Sequence, residues 1–263
     1  MIYQEYPTHP ALRPYVRCYI TVEELHTEAT QEHRFLPERS PKLLFYDGTS
    51  SYGELSGSLG VMPNGHLTGL ITRPLKAVSL GLIRALQVDF YPWGAMKLFG
   101  LKRGLQDTLY GADELKTARL AREVEGLLSL GDFAGAIAEL EAWLLGWVRP
   151  LDAELTPAIK AALRLYESGG QAKVTELAEE VELSLRQLER GFQKDVGIAP
   201  KMLAKLIRFE EACNQIWRGT KHSLTELAFD LGYADQAHFT REFKSLAYVP
   251  PSWFARLSRE GAM

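Results

Sequence analysis

Two short stretches of this chain concentrate side chains able to read hydrogen-bonding edges. Arg186, Gln187, Glu189, Arg190 and Lys194 fall within one nine-residue span, and Gln236, Ala237, His238, Thr240, Arg241 and Lys244 within another. Arginine presents a planar fork of donors, glutamine a donor beside an acceptor, and glutamate an acceptor. These groups match the edges of guanine, adenine and cytosine in the major groove of B-form DNA, and each good contact contributes on the order of 1–3 kcal/mol of discrimination. Ala237 offers no hydrogen bond, which leaves methyl contact or shape readout at that position. Glu189 has a second reading, as an ion-pair partner of Arg186 or Arg190 on its own helix.

Side chains of this kind act only if rigid elements hold them outward. Leu185, Leu188 and Phe192 lie at i, i+3 and i+7, the spacing of a core-facing helical stripe, so the polar set occupies the rest of that helix. Phe239 and Phe243 do the same in the second stretch. Ser184 and Asp235 are the expected N-caps, and Ser184 with Gln187 fits a reciprocal capping box. A shorter helix precedes each, with Leu177, Ala178 and Val181 inward in the first and Leu227, Ala228 and Leu231 in the second. A small alanine there allows close crossing, and Gly232 supplies a permissive turn. The two stretches are an internal repeat. Thr-Glu-Leu-Ala recurs at 175–178 and 225–228. Leu188 with Phe239, Arg190 with Arg241, Phe192 with Phe243 and Pro200 with Pro251 recur at a constant offset. The pattern predicts two helix-turn-helix units, 174–195 and 224–246, joined by a helix over 200–217. Met202, Leu206, Phe209, Cys213 and Ile216 form the connector's expected buried stripe. A connector of that length spans roughly 25 Å and would set two reading helices about one DNA turn, ~34 Å, apart.

Residues from about 157 to 257 resemble the DNA-binding domain of the AraC/XylS family of bacterial transcription regulators. The resemblance rests on 184–200, on Ile207-Arg-Phe-Glu-Glu-Ala212, and on Leu227-Ala-Phe-Asp-Leu-Gly-Tyr233 followed by His238-Phe-Thr-Arg-Glu-Phe-Lys244. It implies base-facing positions at Arg186, Glu189 and Arg190, and at Gln236, Ala237, Thr240 and Arg241. Double-stranded DNA would be the partner, with RNA polymerase as a further one. One departure concerns the second unit: Tyr248 stands where the first has Gly197 past its reading helix. A non-glycine residue enters the left-handed backbone expected there at a cost of ~1 kcal/mol.

The first 110 residues read as mostly strand, with runs at 16–22, 42–46, 76–83 and 86–91 punctuated by glycine and proline. Asp47-Gly48 reads as a turn. Apolar spacing then becomes helical over 113–128 and again from Phe133 through Ile137, Leu140 and Leu144 to Trp147, separated by Gly131-Asp132. The expected fold class is α+β in two domains. A β-barrel-like, cupin-like sensory domain with a helical hairpin occupies 1–149 (β-rich 1–110, hairpin 113–148), and an all-α DNA-binding domain occupies 150–263. Arg149-Pro150-Leu151 is the expected linker. The run Phe90-Tyr-Pro-Trp-Gly-Ala-Met-Lys-Leu-Phe-Gly100 resembles a motif of the sensory half in a subgroup of the same family. That resemblance implies a hairpin used for dimerisation. From the residues alone the hairpin either pairs with a second copy or docks on its own barrel.

Bulk charge gives no support to nucleic-acid binding: the net charge is −3, and each half is near neutral. Affinity for DNA must come from local placement of Lys and Arg. The two cysteines, Cys18 and Cys213, are far apart and read as reduced thiols of a cytoplasmic protein. No signal peptide and no apolar run near the ~20 residues needed to cross a bilayer is visible. His26, His33 and His66 match no ligand spacing, so no metal or cofactor is expected. Trp93 beside Gly94 either lines a ligand pocket or sits in a core. Three functions stay open: a regulator responsive to a small-molecule effector, a regulator whose first half binds a protein or only dimerises, and a barrel enzyme with a DNA-binding appendage. No catalytic constellation supports the last.

Overall fold

The computed structural model describes residues 2–26, 32–47, 52–55, 58–78, 81–148, 155–219 and 223–260. The chain divides into two compact units. One comprises Met1–His33, Ser40–Leu70 and Leu75–Glu154; the other comprises Arg34–Arg39, Ile71–Pro74 and Leu155–Met263. The expected linker 149–151, the glycine of the Asp47-Gly48 turn, and the side chains of His26 and His33 lie outside the described residues.

The strands are β1 Ile2–Tyr6, β2 Val16–His26, β3 Glu32–Phe35, β4 Lys42–Tyr46, β5 Tyr52–Leu55, β6 Ser58–Val61, β7 His66–Thr68, β8 Leu75–Val78, β9 Gly81–Phe90 and β10 Leu109–Tyr110. They form a six-stranded sheet ordered β1-β2-β9-β4-β7-β10 and a four-stranded sheet ordered β3-β8-β5-β6. The barrel-like expectation thus resolves into two sheets. In the larger sheet, Leu43 and Phe45 of β4 and Leu86, Val88 and Phe90 of β9 are fully buried. Their period of two is that of a sheet with one face on the core.

Strand boundaries differ from those read in the sequence. β2 continues to His26, and in place of runs at 76–83 and 86–91, β8 ends at Val78 and β9 runs unbroken from Gly81 (φ +81°) to Phe90. Arg84, which looks like a break in the apolar pattern, is a strand residue paired in register with Glu23. Its Nε lies 2.6 Å from Glu23 Oε2, and its backbone N–H donates to Asp47 Oδ1 at 2.6 Å. A cross-strand partner of opposite charge makes the charged residue tolerable there.

Helix α1, Pro92–Phe99, follows β9, with Pro92 in its first turn and Gly100 left-handed after it. Trp93 is buried, stacks on Tyr91 at 4.7 Å and donates Nε1–H to the Pro14 carbonyl at 2.9 Å. A β-carbon at Gly94 would run into the Tyr15 carbonyl. Of the two readings of Trp93-Gly94, the structure supports the core one: these residues dock α1 on the 14–15 backbone.

The helix expected over 113–128 is two helices, α2 Ala112–Leu115 and α3 Ala118–Ser129. The break comes at Lys116 (φ +58°) and Thr117, whose fully buried hydroxyl donates to the Gly65 carbonyl at 2.6 Å. Apolar periodicity alone does not reveal that polar anchor. Helix α3 packs on β4 and β9 through Leu120, Ala121, Val124 and Leu128. Helix α4, Phe133–Leu145, is capped by Asp132 and packs on α3; its buried face is Ala136, Leu140 and Leu144, and Trp147 falls past its end.

His66 on β7 is 1% exposed, its Nδ1 lies 2.5 Å from the Pro63 carbonyl, and its Nε2 has no hydrogen-bond partner among the described residues. Burial pushes its pKa down to about 4, against a partial opposing effect of the Pro63 contact. The folded pKa lies below the unfolded value of 6.5, so the unfolded chain takes up the proton first as the pH falls. The stabilisation is complete above about pH 6.5 and is lost towards pH 4, an expected decline of roughly 3 kcal/mol. Denaturant midpoints at pH 7 and pH 4.5 check this; His66→Phe should flatten the difference.

Candidate nucleic-acid interface

The second unit is helical: α5 Pro157–Glu167, α6 Val174–Glu180, α7 Leu185–Asp195, α8 Pro200–Trp217, α9 Leu224–Asp230, α10 Gln236–Ala247 and α11 Pro251–Glu260. Thr156 caps α5 by accepting from the Ile159 N–H. Two pairs, α6 with α7 and α9 with α10, repeat one design. Ser184 Oγ accepts from the Gln187 N–H while Gln187 Oε1 accepts from the Ser184 N–H at 2.9 Å. Asp235 Oδ1 accepts from the His238 N–H at 2.6 Å. These caps fix where each second helix begins, and therefore which residues point outward.

The turns differ. Gly232 takes φ +77° in the second pair, and Glu182 takes φ +55° in the first. The sequence shows the glycine and gives no sign that a glutamate does the same work. Glu182 is exposed, so the left-handed backbone creates no burial problem for its side chain.

Beneath the polar faces, Leu177, Ala178, Leu188 and Phe192 are buried in the first pair, and Leu227, Ala228, Leu231, Phe239 and Phe243 in the second. A β-carbon at Gly191 would stand 3.0 Å from Ala158 Cβ, so α7 crosses α5 at close range. Two expectations need correction. Leu185 is 37% exposed rather than core-facing, because as the first residue of α7 it lies at the edge of the packed stripe; Val181 is only half-buried. The buried face of α8 is Pro200, Leu203, Ala204, Leu206, Ile207, Phe209 and Ala212, broader than one stripe, with Met202, Cys213 and Ile216 only half-buried. A helix that serves as floor to elements on more than one side buries more of its circumference.

On α7, Arg186, Gln187, Glu189, Arg190 and Lys194 are all exposed. On α10, Gln236, Ala237, His238, Arg241 and Lys244 are exposed and Thr240 is half-buried. Gln236, Ala237, Thr240 and Arg241 together line a shallow concavity of about 510 Å³. The carbonyl ends of two glutamines are already engaged: Gln187 in its cap, and Gln236 as acceptor from Thr225 Oγ1 at 2.7 Å. Among the described residues, neither Arg186 nor Arg190 pairs with Glu189, so the ion-pair reading of that carboxylate finds no support. Arg164 and Arg208, elsewhere in the same unit, are ion-paired with glutamates. Among the described residues, Arg186, Arg190 and Arg241 make no such pair.

Residues 177–256 match a family model described as a helix-turn-helix domain. Over 68 residues, 26% of this chain, the sequence is 34% identical to the HTH-type transcriptional activator RhaS of Salmonella arizonae. The carboxyl-terminal part of the chain thus carries a helix-turn-helix domain similar to that of this activator. The match spans 24% of the length of RhaS, about a quarter of the curated relative. The amino-terminal part of the chain, residues 4–105, matches a family described as a domain of unknown function, DUF6597. Two solved structures of ToxT from Vibrio cholerae share its fold. One aligns over 91% of this chain and 98% of its own, with TM-score 0.50 and 16% identity. The other, from strain O395 and bound to (E)-4-(8-methylnaphthalen-1-yl)but-3-enoic acid, aligns over 91% and 99%, with TM-score 0.51 and 14% identity. The two-domain α+β fold of the chain is thus similar to that of ToxT.

Helix α10 ends differently from its counterpart α7. Tyr248 caps α10 with φ +61°, and its N–H donates to the Lys244 carbonyl, whereas Gly197 with φ +79° follows α7. Tyr248 is 62% exposed, so little packing offsets the backbone cost. Tyr248→Gly should raise stability by about 1 kcal/mol, seen as a higher denaturant midpoint.

Proposed function

We propose that the chain is a sequence-specific DNA-binding transcription regulator that places α7 and α10 in successive stretches of major groove. One observation carries this reading: twice in one unit, a capped helix buries its leucine or phenylalanine stripe and presents exposed arginines, with no ion-pair partner among the described residues, beside other polar side chains. Arg186, Glu189 and Arg190, then Gln236, Thr240 and Arg241, read base edges; Ala237 contributes contact or shape only. Gln187, Lys194, His238 and Lys244 border the same surface and complete the contact set. The first unit senses and the second binds DNA, with the division near residue 150.

The expected test is selection from a random duplex library with the full-length chain, followed by affinity measurements on the enriched sequence. A bipartite site should emerge, and binding should fall steeply with salt because phosphate contacts release counterions. Failure to enrich any sequence would overturn the reading.

A small-molecule effector acting on the first unit is part of the same proposal. Its support is the ToxT structure that holds a carboxylic acid. Unsaturated carboxylic acids are therefore the first ligands to titrate against thermal unfolding. Pairing of two copies through the α3–α4 hairpin, contact with RNA polymerase and a cytoplasmic location belong to this reading as well. Light scattering of the full-length chain and of a Leu130→Glu variant tests the pairing; Leu130, at the hairpin's tip, is 83% exposed.

A further inference from the structure

The two helix-turn-helix pairs are tied to one another by a polar cluster on α8. Arg208, half-buried on α8, donates Nη1–H to the Gly170 carbonyl at 2.7 Å, in the turn that leads into the first pair. Its Nη2 donates to Glu242 Oε1 on α10 at 2.7 Å, and its Nε reaches the same oxygen at 3.3 Å. Tyr233, in the turn of the second pair, donates its hydroxyl to Glu242 Oε1 at 2.6 Å and lies under the Arg208 guanidinium at 5.1 Å. Burial works against the Arg208 charge, but Glu242 and these hydrogen bonds outweigh it and raise the pKa.

A second tie runs directly from pair to pair. Gln171 donates Nε2–H to the Asp230 carbonyl at 3.0 Å, at the end of α9. Both turns need glycine, Gly170 for a close backbone approach and Gly232 for its left-handed φ of +77°. A β-carbon on Gly170 (φ +77°) would crowd the Ala204 carbonyl, and one on Gly232 would stand 2.9 Å from Gln171 Oε1.

Apolar contacts tolerate sliding; a guanidinium that forks between a carbonyl on one side and a carboxylate on the other does not. We infer that Arg208, with Gln171, fixes the separation and rotation of the two reading helices, and so sets the spacing between the two halves of the DNA site. Both are positioning residues, acting through α7 and α10 and not on bases. The inference rests on the DNA-binding reading above. It adds that the spacing is rigid: inserting one base pair turns the second half-site by roughly a tenth of a helical turn, which a locked pair cannot follow.

The test uses the full-length chain and the duplex it selects, alongside the same duplex with one base pair inserted between the halves. Wild type should bind the inserted duplex about tenfold more weakly, the cost of losing one good base contact. Gln171→Ala, on an exposed side chain, should reduce that ratio to about threefold, and Arg208→Ala should bring it close to one. Arg208→Lys keeps the charge but not the fork. It should recover thermal stability while leaving the ratio low, which a purely structural role would not produce. If Arg208→Ala does not fold, Gln171→Ala and Arg208→Lys decide the matter. A wild-type ratio near one, or variants that keep the tenfold ratio, would overturn the inference and leave the DNA-binding reading intact. Failure of wild type to select any duplex would instead remove that reading.

Discussion

Replacing Arg190 and Arg241 together by alanine should weaken binding to the selected duplex by about 2–6 kcal/mol and relax its sequence preference. Each arginine is expected to carry on the order of 1–3 kcal/mol of base discrimination, and the two lie on different helices, so their effects should add. Both side chains are exposed and make no ion pair among the described residues, so removing them leaves no described group buried and unsatisfied. Stability should stay within about 0.5 kcal/mol of wild type, as for surface substitutions generally. Fluorescence anisotropy on selected and scrambled duplexes, beside denaturant curves, separates the two effects. A double variant that binds as tightly and selectively as wild type would show that α7 and α10 are not the reading helices.

Phe243→Ala should lose about 3–5 kcal/mol of stability, enough to threaten the folding of the second unit. Phe243 is 1% exposed and lies among Phe209 at 4.9 Å, Phe239 at 5.8 Å and Phe254 at 5.6 Å between ring centroids. These neighbours come from α8, α10 and α11, so truncation leaves a cavity that several backbones would have to move to fill. DNA binding should disappear with the fold, which sets this variant apart from the arginine pair. Phe243→Leu, which retains most of the volume, should cost markedly less. A Phe243→Ala variant with an unchanged unfolding midpoint would show that the ring cluster does not hold α10 in place.

The second unit was the more legible half because its information is local. Periodicity marked Leu188, Phe192, Phe239 and Phe243 as buried, and the caps Ser184 and Asp235 followed from residue type; the structure has them so. Leu185 was misplaced because spacing alone does not see that the first turn of α7 overhangs its neighbours. Glu182 was invisible as a turn residue because its positive φ is imposed by the packing on either side of it. In the first unit the misses were long-range. Arg84 reads as a strand break until Glu23 and Asp47 are brought beside it, and Thr117 reads as an ordinary helical residue until the Gly65 carbonyl appears. The cluster around Arg208 was equally hidden: Gly170, Tyr233 and Glu242 are spread over 73 positions and acquire a joint meaning only when folded.

Encounter with DNA is shaped by where the unpaired cations sit. A duplex approaching from an arbitrary direction meets a molecule whose summed charge repels it, and attraction begins only within a Debye length, about 10 Å, of α7 or α10. Random sequence, held chiefly through phosphates, should be released as salt rises. If α7 and α10 read DNA as proposed, occupancy of the correct sequence over random sequence should sharpen with rising salt.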